Sequence, residues 1–178
     1  MPLDRTHPKV TEAVEAATSH CFSWFKRLND VRTLLVLAGV SGCGKTMIAS
    51  YCANWCASAA FNAYHRGHWP NAIPSVKFVR WPEIADEINS KNFSCLPDLK
   101  AAKYLVIDDI GAEKDPFKDA TDKLCQILTA RERMWTLVTT NVVQEEWAAR
   151  FDIRVSDRLL RRSTVVDMRD VPSYAEVV

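Results

Sequence analysis

Between Gly39 and Thr46 the chain reads GVSGCGKT, three glycines followed by a lysine and a hydroxyl residue. Glycine leaves backbone N–H groups unshielded by a Cβ, so successive amides can converge on an anion. A lysine closing such a loop brings a point charge to the β- and γ-phosphates of a nucleotide, and the hydroxyl brings an oxygen to Mg2+. The pattern G-x-x-x-x-G-K-[ST] predicts that Gly39, Ser41, Gly42, Cys43, Gly44, Lys45, Thr46 and Met47 wrap a nucleotide's phosphates, those of ATP.

Three further runs supply the remaining chemistry. YLVIDDIG ends an aliphatic run in two acids, and a buried strand ending so delivers carboxylates to the ligand-binding edge of an α/β sheet. Asp108 is placed to hold the Mg2+ shell together with Thr46, and Asp109 to polarise the attacking water. TLVTTN presents Asn141 to orient that water or touch the γ-phosphate. In RFDIRVSDRLLRR, Arg150, Arg154 and Arg158 recur every fourth residue, so a helix there carries a column of guanidinium groups on one face. One reading is a solvated face balanced by Asp152 and Asp157; the other is that one or two of these arginines stabilise the transferring phosphoryl group of a neighbouring subunit.

These residues need elements to position them. Residues 34–39 read as a buried strand and 47–64, without Pro or Gly, as a helix, so the glycine loop falls between strand and helix. Residues 8–27 place Val10, Val14, Ala17, Cys21 and Trp24 at helical spacing. Further along, the pattern predicts a loop over 64–75, a strand over 76–81, a helix opened by Pro82, and a strand in KYLVIDDIGAE. A helix follows over about 117–134, then a strand at TLVTTN, a helix over about 144–151 and a last strand at STVVDM. Such alternation means an α/β domain with a parallel sheet. One domain over 1–178 is expected, with a leading helix in 1–30 and the core in 31–174.

The chain has 178 residues, formal net charge +1 and sequence pI near 7.6, which neither demands nor excludes a nucleic-acid partner. No segment resembles a signal peptide or a membrane span, so a soluble, cytoplasmic protein is expected. Six cysteines form no CxxC pair. Cys52 and Cys56 with His65 and His68 raise the question of zinc, but their place on the helix after the loop favours reduced core thiols. Cys43, inside the loop, reads as a reactive thiol that ATP would protect. The loop AYHRGHWP gathers Tyr64, His65, Arg66, His68 and Trp69. It either packs its Trp on its own domain or contacts single-stranded DNA through Arg66 and Trp69.

Together GVSGCGKT, LVIDDIGAE, LVTTN and IRVSDRLLRRSTVVDM followed by PSY resemble the AAA+ ATPases of the DnaC/DnaI helicase-loader and IstB transposition-helper group, over about 31–174. The resemblance implies a three-layer P-loop NTPase of AAA+ type. Its five-stranded parallel sheet has order 5-1-4-3-2, with little or no helical lid. It also implies ATP and Mg2+, hydrolysis stimulated by oligomerisation or DNA, and a homo-oligomer with nucleotide at the subunit junction. DNA, single-stranded, and a replicative helicase or transposase are the implied partners. Carried over by position, Lys45 and Thr46 are the Walker A pair, Asp108 and Asp109 the Walker B pair, and Asn141 sensor 1. Arg154 and Arg158 are the arginine-finger candidates, with Arg158 first. An IstB-type helper, a P-loop small-molecule kinase and a nucleotide-switched scaffold are the alternatives.

Overall fold

Residues 6–28, 32–68 and 73–174 are described by the structure, a computed structural model. Five strands, β1 (Leu34–Ala38), β2 (Val76–Arg80), β3 (Tyr104–Ile110), β4 (Trp135–Thr140) and β5 (Ser163–Asp167), form one parallel sheet. Their order is β2-β3-β4-β1-β5, which read from the other edge is the expected 5-1-4-3-2.

Helices cover both faces. Leu35 and Leu37 of β1 point into a core shared with α1 (Pro8–Phe25) and α2 (Lys45–His65). Val36 and Ala38 point the other way, toward α3 (Trp81–Asn89), α4 (Leu96–Ala101), α5 (Asp119–Ala130), α6 (Trp147–Phe151) and α7 (Ile153–Leu160). Burial on both faces is why the central strands read as unbroken aliphatic runs rather than alternating ones.

α2 packs small side chains, Ala49, Cys52, Ala53, Cys56, Ala60 and Ala63, toward α1 and the sheet. Cys52 and Cys56 are therefore core residues, whereas His65 and His68 are exposed beyond the helix's inner face. Among the described residues no cluster of three or more His, Cys, Asp and Glu side chains is arranged to hold a metal ion.

Four local features differ from the pattern-based expectation. The short α4 is an unexpected helix, six residues with Pro97 in its first turn. α5 is shorter than 117–134: Lys118 sits at φ 62° before it and Arg131 closes it. The helix expected over 144–151 starts as a 3-10 turn, Gln144–Glu146, before α6. The arginine stretch is broken at Asp152, φ 91°, whose carboxylate caps α7 by accepting from the N–H groups of Arg154 and Val155. Arg150 thus belongs to α6 and leaves the column that its spacing suggested.

Candidate nucleotide site

The glycine loop is moulded by the strand beside it and by the segment that follows β5. A Cβ on Gly39 would lie 2.7 Å from the Met168 carbonyl carbon, and one on Gly42 2.3 Å from Ser173 Oγ. Gly42 and Gly44 adopt φ 79° and 101°, a region that side chains other than glycine's rarely enter. Gly44 is the N-cap of α2, so the free amides and positive dipole end of a 21-residue helix open directly onto the loop. Tyr174 N–H donates to Gly42 O at 3.2 Å, tying the segment after β5 to the same loop.

Lys45 is buried, its ammonium donating to Gly39 O at 2.8 Å and Val40 O at 2.7 Å, with Cys43 Sγ at 3.5 Å. Cys43 itself has no exposed surface, and its side chain joins the core between α1, α2 and the sheet. The expectation of an accessible, reactive thiol is therefore corrected: only the Cys43 backbone can face an anion. Ser41, Thr46 and Met47 stand exposed at the rim.

The acids lie opposite, at the carboxyl end of β3. Thr46 Oγ1 donates to the buried Asp108 carboxylate, 3.0 and 3.1 Å from its two oxygens, and Thr139 Oγ1 donates to Asp108 Oδ1 at 2.7 Å. Thr139 Oγ1 also accepts from Asp109 N–H at 2.9 Å, and Asn141 Nδ2 donates to Asp109 Oδ1 at 2.8 Å. The β3–β4 register skips between Ile107 and Ile110, where Asp109 takes φ 65°. This bulge turns two consecutive acids into the same site. Partial burial and the neighbouring Asp108 raise the Asp109 pKa above the ordinary aspartate value, opposed by Lys45 and Arg80.

Thr139 is the residue the sequence reading passed over. Its signal was the period of β4: Thr139 and Asn141 share one face of a strand whose last residues reach the acid pair. Arg80, in register with Asp108 at the end of β2, was likewise not singled out.

Below the acids, the turn after β3 is locked. Arg150 Nη2 donates to Gly111 O at 2.6 Å and Glu113 O at 2.9 Å, while Gly111 N–H donates to the buried Glu113 carboxylate at 2.6 Å. Burial raises the Glu113 pKa.

The other arginines lie elsewhere. Arg154 pairs with Asp122 at 2.6 Å and Asp152 at 2.8 Å. Arg158 donates to Thr129 Oγ1 at 3.1 Å and lines a small cavity with Leu34, Arg131, Thr136 and Arg161. Leu34 opens β1 at the amino edge of the sheet, the length of that strand, about 15 Å, from the loop. Neither arginine has a hydrogen bond or ion pair to the loop or to the acid pair of the same chain. Arg66 is exposed at the end of α2, about 30 Å along that helix from the loop. Trp69 lies outside the described residues.

The sequence matches no protein-family model and no curated protein. Solved structures do share the fold. A DnaC helicase loader is 19% identical with TM-score 0.63, the match covering 94% of this chain and 96% of that one. DnaI is 21% identical with TM-score 0.67, over 94% and 87%. The replication initiator DnaA bound to AMPPCP and single-stranded DNA is 13% identical with TM-score 0.59, over 90% of this chain but 46% of that one. The likeness is one of architecture, the α/β P-loop fold of AAA+ type.

Proposed function

We propose that this protein binds and hydrolyses ATP as a AAA+ oligomer acting on DNA, in the manner of a helicase loader. The observation that carries the reading is the convergence of Lys45, Thr46, Asp108, Asp109 and Asn141 on one edge of the sheet, with Asp108 shared between Thr46 and Thr139. The loop fits a nucleotide's phosphates: Gly42 and Gly44 take the positive φ that lets successive amides converge, and α2 opens its unpaired amides onto the loop. Thr46 Oγ1 and the Asp108 carboxylate form a pair of hard oxygen donors suited to Mg2+. When bound, Mg2+ supplies neutralisation of charge on the β- and γ-phosphates.

The chain's own residues then divide the work. Lys45 exchanges the Gly39 and Val40 carbonyls for phosphate oxygens. Asp109, as carboxylate, orients and polarises the attacking water, and Asn141 holds that carboxylate until the water takes its place. Arg158, with Arg154 beside it, serves the neighbouring subunit, since neither reaches its own loop. Support for DNA as partner comes from the fold shared with an initiator seen on single-stranded DNA; a replicative helicase as client rests on the loader likeness.

Equilibrium binding of a fluorescent ATP analogue tests the site. Lys45→Ala should lose binding at least tenfold, and Asp109→Asn should retain it while losing hydrolysis. Equal binding by Lys45→Ala and the parent would contradict the assignment.

A further inference from the structure

The short helix α6 holds both of the turns that carry Asp109 and Asn141. Trp147 and Phe151 anchor it, both buried in the core on that face of the sheet. From this anchor Trp147 Nε1 donates to Val142 O at 2.9 Å, one residue beyond Asn141. Arg150 donates from Nε and Nη2 to Gly111 O at 3.1 and 2.6 Å, and from Nη2 to Glu113 O at 2.9 Å. Gly111 lies two residues beyond Asp109. These Arg150 bonds all end on main-chain oxygens, so they fix the path of the backbone itself.

The two turns are fitted to each other as well as to α6. Thr140 Oγ1 donates to Ile110 O at 2.8 Å and accepts from Val142 N–H at 3.0 Å, so one buried hydroxyl spans them. Gly111 takes φ 92°, and a Cβ there would lie 2.6 Å from Val142 Cγ2 and 3.0 Å from Phe151 Cε1. Glu113 closes the turn from inside, its buried carboxylate accepting from Gly111 N–H. At the open end the Asn141 Nδ2 bond to Asp109 Oδ1 joins the same two turns.

We propose that Arg150 and Trp147 are positioning residues for the hydrolytic step: α6 holds the Asp109 turn and the Asn141 turn in one fixed relation, and so sets how the attacking water is oriented. The inference rests on the ATPase reading above. Lys45, Thr46 and Asp108 are held by other contacts, the Gly39 and Val40 carbonyls and the Thr139 hydroxyl. Loosening α6 therefore disturbs the water-handling pair while leaving the phosphate and Mg2+ groups in place. Nucleotide binding and hydrolysis become separable, and a misplacement of about 1 Å at the reacting groups costs about 10²-fold in rate.

The test is steady-state phosphate release from ATP·Mg2+ beside titration with a fluorescent ATP analogue. Arg150→Met keeps the aliphatic stem and removes the donors. Its kcat should fall about 10- to 100-fold while KM and analogue affinity stay at the parent's values, the pattern of a group that acts on the reacting geometry alone. Arg150→Lys returns one cationic donor to the same carbonyls and should recover part of kcat. Trp147→Phe keeps a buried ring, loses the bond to Val142 O and should show a smaller loss of the same kind. Arg150→Met combined with Asn141→Ala should cost little more than the larger single loss, since both act on one alignment. Parent-like kcat in Arg150→Met and Trp147→Phe, with unchanged circular dichroism, overturns the inference and leaves the ATPase reading intact. A loss of kcat matched by an equal loss of analogue affinity, or full additivity with Asn141→Ala, also overturns it. An unmutated protein that binds the analogue but releases no phosphate overturns both.

Discussion

Asn141, just past the end of β4, donates its side-chain N–H to the Asp109 carboxylate at 2.8 Å, so the candidate water-positioning residue holds the candidate water-polarising acid. Asp109→Asn keeps the shape and removes the charge, and hydrolysis should fall by about 10²-fold or more with ATP still bound. Because partial burial and Asp108 raise the Asp109 pKa, hydrolysis should begin to fail with acidification at a higher pH than an ordinary aspartate would give. The stability effect has the opposite sense. A carboxyl group whose pKa is raised on folding binds its proton more tightly in the folded state, so its contribution improves as pH falls through that pKa. Asp109→Asn should therefore melt no lower than the parent at neutral pH, which a thermal melt checks beside a pH–rate profile.

Thr139 joins the two acids through one hydroxyl, donating to Asp108 and accepting from Asp109 N–H. Thr139→Val preserves the β-branched shape but leaves the buried Asp108 with one donor fewer and the amide without its acceptor. The expected loss is about 1–3 kcal/mol of stability, read by urea denaturation, together with a higher Mg2+ requirement for hydrolysis.

Gly39 lies where β1 meets the segment after β5, and the nearest obstacle to a Cβ is Met168 backbone at 2.7 Å. A backbone atom cannot rotate aside as a side chain does, so Gly39→Ala should push the two segments apart. The expected destabilisation is about 1–3 kcal/mol, measured by denaturation, with weaker nucleotide binding measured by titration.

Much of this arrangement is legible in the residues. The strand–glycine–helix order, the paired acids after an aliphatic run and the Thr-Thr-Asn end of β4 have local signatures, and they converge because parallel strands end on one edge of the sheet. The arginine column was not legible. Its four-residue spacing makes one face only if a single helix carries it, but Asp152 caps a new helix, which leaves Arg150 on α6 and its guanidinium on Gly111. Cys43 misled for a related reason: its place in the loop is a property of the backbone, whereas its side chain follows the turn into the core. Thr139 lies inside the Thr-Thr-Asn run, yet only the fold shows that its hydroxyl joins the two acids.

Arg158 lies at the amino edge of the sheet, away from the Lys45 loop of its own chain. If it completes a neighbour's site, Arg158→Ala and Lys45→Ala should each be inactive alone, the loss for Arg158 being about 10³-fold. Mixing them should restore part of the activity, since one variant contributes an intact loop and the other an intact arginine. Phosphate release from the mixture checks this, and no recovery at any ratio would place the role of Arg158 within its own subunit or in the fold.

The most direct measurement is phosphate release from ATP·Mg2+ by the parent and Asp109→Asn over a range of protein concentrations. The account predicts specific activity that climbs with concentration in the parent and is abolished in the variant, which still binds the nucleotide. Equal phosphate release by both proteins, or none by the parent at any concentration with single-stranded DNA present, would contradict it.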